Sequence, residues 1–141
     1  MSLMTAIEVG ASGLTAQRRR LEVLVGNLVN AGTTQPAGAE PYRRKDVVFT
    51  AASPEATFGA ALEDAVQGVE ISGLVTDRGD PVKKHEPNHP HADKDGYVYY
   101  PNVNPMEEMV NVLSATRSYE ANLQAVNMAK EMQQKTLEIL R

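Results

Sequence analysis

The 141-residue sequence has no cysteine, no tryptophan and only two phenylalanines. Without cysteine there is no disulfide, no thiolate metal centre and no cysteine nucleophile. Aromatic residues make up 5% of the chain, so a core has to come from Leu, Val, Ala and Met, a stock that suits helix seams better than a thick globular centre. No run of about 18 apolar residues occurs, so no segment reads as a membrane-spanning helix. No basic stretch leads into an apolar one at the N-terminus, and Arg18-Arg19-Arg20 falls on the wrong side for a signal peptide. The expected location is therefore the cytoplasm, or a compartment reached without a cleaved signal. The formal net charge of −4 gives no case for nucleic-acid binding. Catalytic signatures are also missing: there is no G-x-S-x-G, no H-E-x-x-H and no glycine-rich phosphate loop. The sequence points away from an enzyme.

What is present lies at the two ends. Met4, Ile7, Ala11, Leu14, Arg18, Leu21, Val25 and Leu28 alternate at spacings of three and four, and all but Arg18 are apolar. That is the seam of a helix that pairs with others. Gly10 and Gly13, with Ala11 and Ser12, form a small-residue patch that a partner can approach closely. The helix is expected to stop at Asn30-Ala31-Gly32, with Gly just past its end. A second long helix is expected from 105 onward. Asn104 can cap it, Pro105 fits its first position and Glu107 sits three past the cap. Its seam runs Met109, Val112, Thr116, Tyr119, Leu123 and Val126, then drifts through Ala129, Met132, Thr136 and Leu140, as a 3.6 period does against a 3.5 one. The adjacent Glu107 and Glu108 suit the positive end of the helix dipole.

Between the helices, residues 33–104 hold seven of the eight prolines. Val47–Phe49, Val69–Val75 and Tyr97–Tyr100 read as short strands, and 51–65 is Ala-rich and ambiguous. The stretch HPHADKDGYVYYPNVNPMEEM suggests a metal site at first. As a calcium loop with Gly96 at position 6, it places His91 first and Asn102 last, where carboxylates belong. As a zinc site it needs His85, His89 and His91 gathered from a Pro-rich loop, with Glu86 or Asp93 beside them. An Asp95-Gly96 turn leading into a strand fits better, and no metal or other cofactor is expected. Arg18-Arg19-Arg20 and Arg43-Arg44-Lys45 suit solvated faces or partner contacts better than phosphate or lipid sites.

The fold class expected is mainly α: an N-terminal coiled-coil helix (1–32), a small Pro-rich, β-containing middle (33–104) and a C-terminal coiled-coil helix (105–141). The candidate interaction residues are the seams together with Asn27 and Asn30. An amphipathic-helix binding protein or an export-associated adaptor is the alternative reading.

Two stretches add a resemblance. NLVNAGTTQPAGAEPYRRKDVVF (Asn27 to Phe49) resembles the segment after the N-terminal helix of bacterial flagellar rod proteins, where an Asn-x-x-Asn-Ala stretch ends the helix. DGYVYYPNVNPMEEMVNVLSATRSYEANLQAVNMAKEMQQKTL (Asp95 to Leu137) resembles that family's C-terminal signature, with its Asn-Val-x-Pro-x-Glu-Glu-Met core and Arg-Ser-Tyr-x-Ala-Asn run at Asn102–Met109 and Arg117–Asn122. Val29 departs from the pattern, standing where Ala is usual. Length and the Asn30–Tyr42 insertion make the chain most like a short, proximal member of the family.

The resemblance implies a non-enzymatic building block of the flagellar basal-body rod, in the periplasmic space. It implies terminal helices that assemble around a tubular shaft, through Met4, Ile7, Ala11, Leu14, Leu21, Val25, Leu28, Asn27, Asn30, Met109, Val112, Thr116, Tyr119, Leu123, Val126, Met132 and Leu140. The implied partners are further copies, other rod proteins, and base-ring and export-apparatus components. Export without a cleaved signal follows from it, and direct membrane insertion does not.

Overall fold

The computed structural model describes residues 3–36, 38–52 and 67–139. Its elements, in chain order, are α1 (Leu3–Asn30), β1 (Lys45–Ala52), β2 (Gly68–Thr76), β3 (Val82–His85), β4 (Tyr97–Tyr100) and α2 (Pro105–Ile139). Two long helices at the ends thus flank a small β middle, as expected. Leu140 and the ambiguous stretch 53–65 lie outside the described residues. Among those described, no helix is long and apolar enough to cross a membrane.

At 28 residues α1 is roughly 40 Å long, and at 35 residues α2 is roughly 50 Å. Asn104 caps α2 as read: its Oδ1 accepts from the Met106 amide at 3.1 Å and its carbonyl from the Glu108 amide at 3.0 Å. The end of α1 comes where expected but by another device. Gly32 does not adopt a left-handed conformation. Instead the Asn30 side chain donates to the Gly26 carbonyl at 2.8 Å, and the Thr33 amide bonds the Asn30 carbonyl at 3.1 Å. These bonds satisfy carbonyls that a helix end leaves open.

The helices pack on each other in antiparallel fashion. Gly10 meets Val126, Gly13 meets Asn122 and Asn27 meets Glu108. Gly10 and Gly13 therefore do the work expected of the small-residue patch, within one chain. A Cβ at Gly10 would lie 2.5 Å from Val126 Cγ2, and one at Gly13 would lie 2.9 Å from Asn122 Nδ2. With Gly10 opposite Val126, the start of α1 falls level with about residue 133 at equal rise along both helices. The end of α2 projects beyond it, and every residue from Lys130 to Ile139 is exposed.

Both sheets are two-stranded and antiparallel. In the first, β2 carries one extra residue, Ser72, opposite the Val48/Phe49 step. Val47, Phe49 and Ile71 are half-buried, and both strands pack on α1. Ser12 Oγ pins the joint by accepting from the Val69 amide at 3.0 Å. In the second sheet β4 is the strand expected from Tyr97–Tyr100. Its partner β3 was not foreseen, because Val-Lys-Lys-His lacks an alternating apolar face. The β3–β4 sheet packs on neither helix. Its turn is built on Asp93, whose Oδ1 accepts from the Asp95 and Tyr97 amides at 3.0 and 2.8 Å, with Gly96 at φ 79°. That left-handed position suits glycine. The buried apolar core is thin: Ala16, Leu24, Val98, Val103, Ala115 and Val126.

The close helix approach predicts opposite outcomes for two glycines of α1. Gly10→Ala should destabilise by about 1–3 kcal/mol through overpacking against Val126. Gly26→Ala, with open space where its Cβ would go, should stabilise by about 0.5–1 kcal/mol through helix propensity. Thermal unfolding followed by circular dichroism checks both signs.

Candidate assembly interface

The most heavily bonded point of the molecule is Asn27, fully buried on α1. Its side-chain amide faces the backbone of Lys45 like another peptide group. Nδ2 donates to the Lys45 carbonyl at 2.7 Å, and Oδ1 accepts from the Lys45 amide at 3.0 Å. The same amide also donates to Glu108 Oε2 at 3.0 Å and accepts from the Tyr42 hydroxyl at 2.8 Å. Glu108 is 1% exposed. Its other oxygen takes a bond from Arg44 Nε at 2.7 Å, and Arg44 Nη1 reaches Asp46 at 3.3 Å. Both capacities of the Asn27 amide and both carboxylate oxygens are thus engaged, as buried polar groups require.

This network corrects two readings. Glu108 is more than a favourable charge at a helix start; only its neighbour Glu107 is exposed there. Arg44 is an internal partner and not part of a surface run. Its guanidinium is held above its ordinary pKa, first by the hydrogen bond to Glu108. The Tyr42 hydroxyl is raised above its ordinary value of 10.0, first by burial and then by the Glu108 carboxylate. Arg18 and Arg19 pair with Glu22 at 3.9 and 2.8 Å on an exposed face, where such pairs contribute little.

The heptad seams meet only in part: Leu14 and Arg18 stand beside Tyr119, and Val126 meets Gly10. In α1 the buried positions are Ala16, Leu24 and Asn27, with Gly10 and Gly13 also turned to α2. These lie one residue, about 100° around the helix, from much of the expected seam. Of that seam, Ile7, Leu14, Leu21 and Leu28 are half-buried, while Met4, Ala11, Arg18 and Val25 are exposed. Asn30 is half-buried too. In α2 the buried positions are Glu108, Ala115 and Val126. Val126 alone belongs to the expected set. Val112, Thr116, Tyr119 and Ala129 are half-buried, and Met109, Leu123, Met132 and Thr136 are exposed. The inner seam is therefore mostly small or polar, with Leu24 and Val126 as its larger apolar members. The large apolar side chains of α2 point the other way, with Met106 70%, Val110 63% and Leu113 61% exposed.

The histidine loop is occupied by its own bonds. His91 Nδ1 pairs with Thr34 Oγ1 at 2.8 Å, and His89 Nδ1 accepts from the His91 amide at 3.1 Å. Among the described residues no three His, Cys, Asp or Glu side chains come together as a metal-ligand group.

A family model, the flagellar basal body rod FlgEFG protein C-terminal, matches residues 94–139, from the β4 turn through α2. Relatives match over almost the whole chain. The flagellar basal-body rod protein FlgC of Salmonella typhimurium is 39% identical over 137 residues, covering 97% of each chain. FlgC of Bacillus subtilis is 40% identical and FlgC of Borreliella burgdorferi 37%, each covering 99% of both chains. The chain belongs to the FlgC family of flagellar basal-body rod proteins. It is a structural rod subunit, not an enzyme. In this rod subunit the network joins both stretches that carried the resemblance, because Asn27, Tyr42 and Arg44 come from the first and Glu108 from the second. Asn27 was named from the sequence. Tyr42, Arg44 and Glu108 were missed, although all three stand inside the quoted stretches.

Removing one member of the buried pair should cost far more than removing a peripheral bond. Glu108→Ala is expected to destabilise by about 3–5 kcal/mol and Tyr42→Phe by about 0.5–1.5 kcal/mol, measured by denaturant unfolding. The raised Tyr42 pKa also sets a pH dependence. Its stabilising share is complete below about pH 10 and is lost as pH climbs through the higher folded value, so Tyr42→Phe should flatten that alkaline loss.

Proposed function

We propose that the subunit builds the proximal part of the basal-body rod and contacts its neighbours through the outer faces of both terminal helices. The observation that carries this reading is the outward display of Met106, Val110 and Leu113, with Met128 and Met132 further along α2. A contiguous apolar face on a folded chain marks an interaction surface, and methionines suit it by packing adaptably. The half-exposed α1 seam, Ile7, Leu14, Leu21 and Leu28, is the matching surface on the other helix. Neighbouring subunits, whether copies or other rod proteins, would bury these seams in coiled-coil fashion around a shaft that transmits torque. In this reading the subunit reaches the periplasmic space through the export apparatus without a cleaved signal and meets the base ring at its proximal end.

Leu113→Asp and Leu21→Asp test the reading separately on the two helices. Leu113 is exposed in the single chain, so Leu113→Asp should change its stability by within about 0.5 kcal/mol while abolishing incorporation into purified basal bodies and motility in soft agar. Normal incorporation and swarming of both variants would refute the assignment of the outer faces.

A further inference from the structure

We propose that Asn27 and Glu108 are positioning residues that set the register of α2 on α1, and that the helix seam itself does not. Three observations lead there.

The first is the composition of the seam. The native pairing places Val126 at Gly10, Asn122 at Gly13 and Glu108 at Asn27. Sliding α2 by one heptad would bring Gln133 to Gly10, Ala129 to Gly13 and Ala115 to Asn27. Two of the three newcomers are smaller than the residues they replace, and only Gln133 at Gly10 is larger. Leu24 and Val126 are buried, but most of the large apolar side chains of α2, which would make a one-heptad error costly, sit on its outer face.

The second is the attachment of the rest of the chain. The β1–β2 sheet is fixed to α1 through Ser12 and Val69. The β3–β4 sheet packs on neither helix, and a single side-chain bond, His91 Nδ1 with Thr34 Oγ1 at 2.8 Å, ties its loop to the chain just after α1. Neither sheet packs on both helices.

The third is what the slid register would leave behind. Asn27 would lose its bond to Glu108, and Glu108 would lose Asn27 and Arg44. At equal rise Glu108 would then lie level with residue 34, past the end of α1, while buried Asn27 would face Ala115 with one donor unmet and Arg44 would lose its closest carboxylate, both of which are disfavoured. Fixing register is the best-attested use of buried polar groups between helices. The consequence reaches beyond the chain itself. The register decides how the apolar outer face of α2 lines up with the α1 seam beside it, and so which composite surface a neighbouring subunit meets.

The natural absence of cysteine makes the test direct. Gly10→Cys is combined either with Val126→Cys, reporting the native register, or with Gln133→Cys, reporting α2 slid by one heptad. Disulfide formation is read on the purified full chain by non-reducing electrophoresis. In the otherwise native chain only the Val126 pair should cross-link. In an Asn27→Leu/Glu108→Leu background, which keeps side-chain volume, the Gln133 pair should rise from absent to a yield comparable with the Val126 pair. Glu108→Gln keeps an acceptor for Asn27 and should restore the native pair alone. Exclusive Val126 cross-linking in the double-leucine background would overturn the proposal by showing that the seam suffices. Loss of both cross-links there would overturn it too, because the network would then hold the pairing and not its register. Because the readout is intramolecular, its failure is separable from that of the rod assignment, which basal-body incorporation reports.

Discussion

A buried side-chain amide must find partners for both its donor and its acceptor, and most of this structure follows from how Asn27 does so. Its partners come from three places: the backbone of Lys45 where β1 begins, Tyr42 on the approach to it, and Glu108 in the first turns of α2. One residue therefore fixes where α1 ends relative to the start of the first sheet and to the start of the second helix. Arg44 closes the arrangement by neutralising Glu108. Such a buried pair adds little to net stability compared with an apolar contact of equal volume, yet it is costly to break. Its value lies in excluding other arrangements. That matters in a chain whose buried apolar core comprises few residues.

The two helices divide their faces in an uncommon way. Ordinary amphipathic helices turn their large apolar residues toward the partner helix. Here the partner faces carry Gly10, Gly13, Ala16 and Ala115, with Asn27, Glu108 and Asn122 among them and only Leu24 and Val126 as large apolar members. Small residues let the helix axes approach closely, and the polar ones give that approach a direction. The large residues, left on the outside, supply the hydrophobic area that a single chain leaves unused. The intrachain pairing leaves that area uncovered, and under the proposed assembly neighbouring subunits bury it.

The sequence made some of this legible and concealed the rest for physical reasons. Heptad spacing located both helices, and cap chemistry located the start of α2 at Asn104. The same spacing located only part of the facing surfaces, because periodicity identifies an apolar stripe without saying which partner covers it. A seam of glycine, alanine, asparagine and glutamate carries no hydrophobic signal at all. Val69–Val75 and Tyr97–Tyr100 announced themselves as strands through β-branched and aromatic residues, whereas Val82–His85 is a strand only because Tyr97–Tyr100 pairs with it. Glu108 and Arg44 are 64 residues apart, and nothing local tells a buried carboxylate from the exposed Glu107 beside it. The 100° step between neighbouring helical positions is what separates them.

The same logic explains why the middle of the chain forms two separate sheets. The β1–β2 sheet rests on α1, through Ser12 and the half-buried Val47, Phe49 and Ile71. The β3–β4 sheet leads directly through buried Pro101 and Val103 to the Asn104 cap of α2. The molecule is therefore two units, each a helix with its own hairpin, joined by the long helical contact, by the polar network where the units meet and by the Thr34–His91 bond. Any change in the attitude of one unit to the other has to be accommodated at Asn27, Glu108 and Arg44. Hydrogen bonds to charged groups are short and directional, so this junction resists rotation better than an apolar contact of the same size.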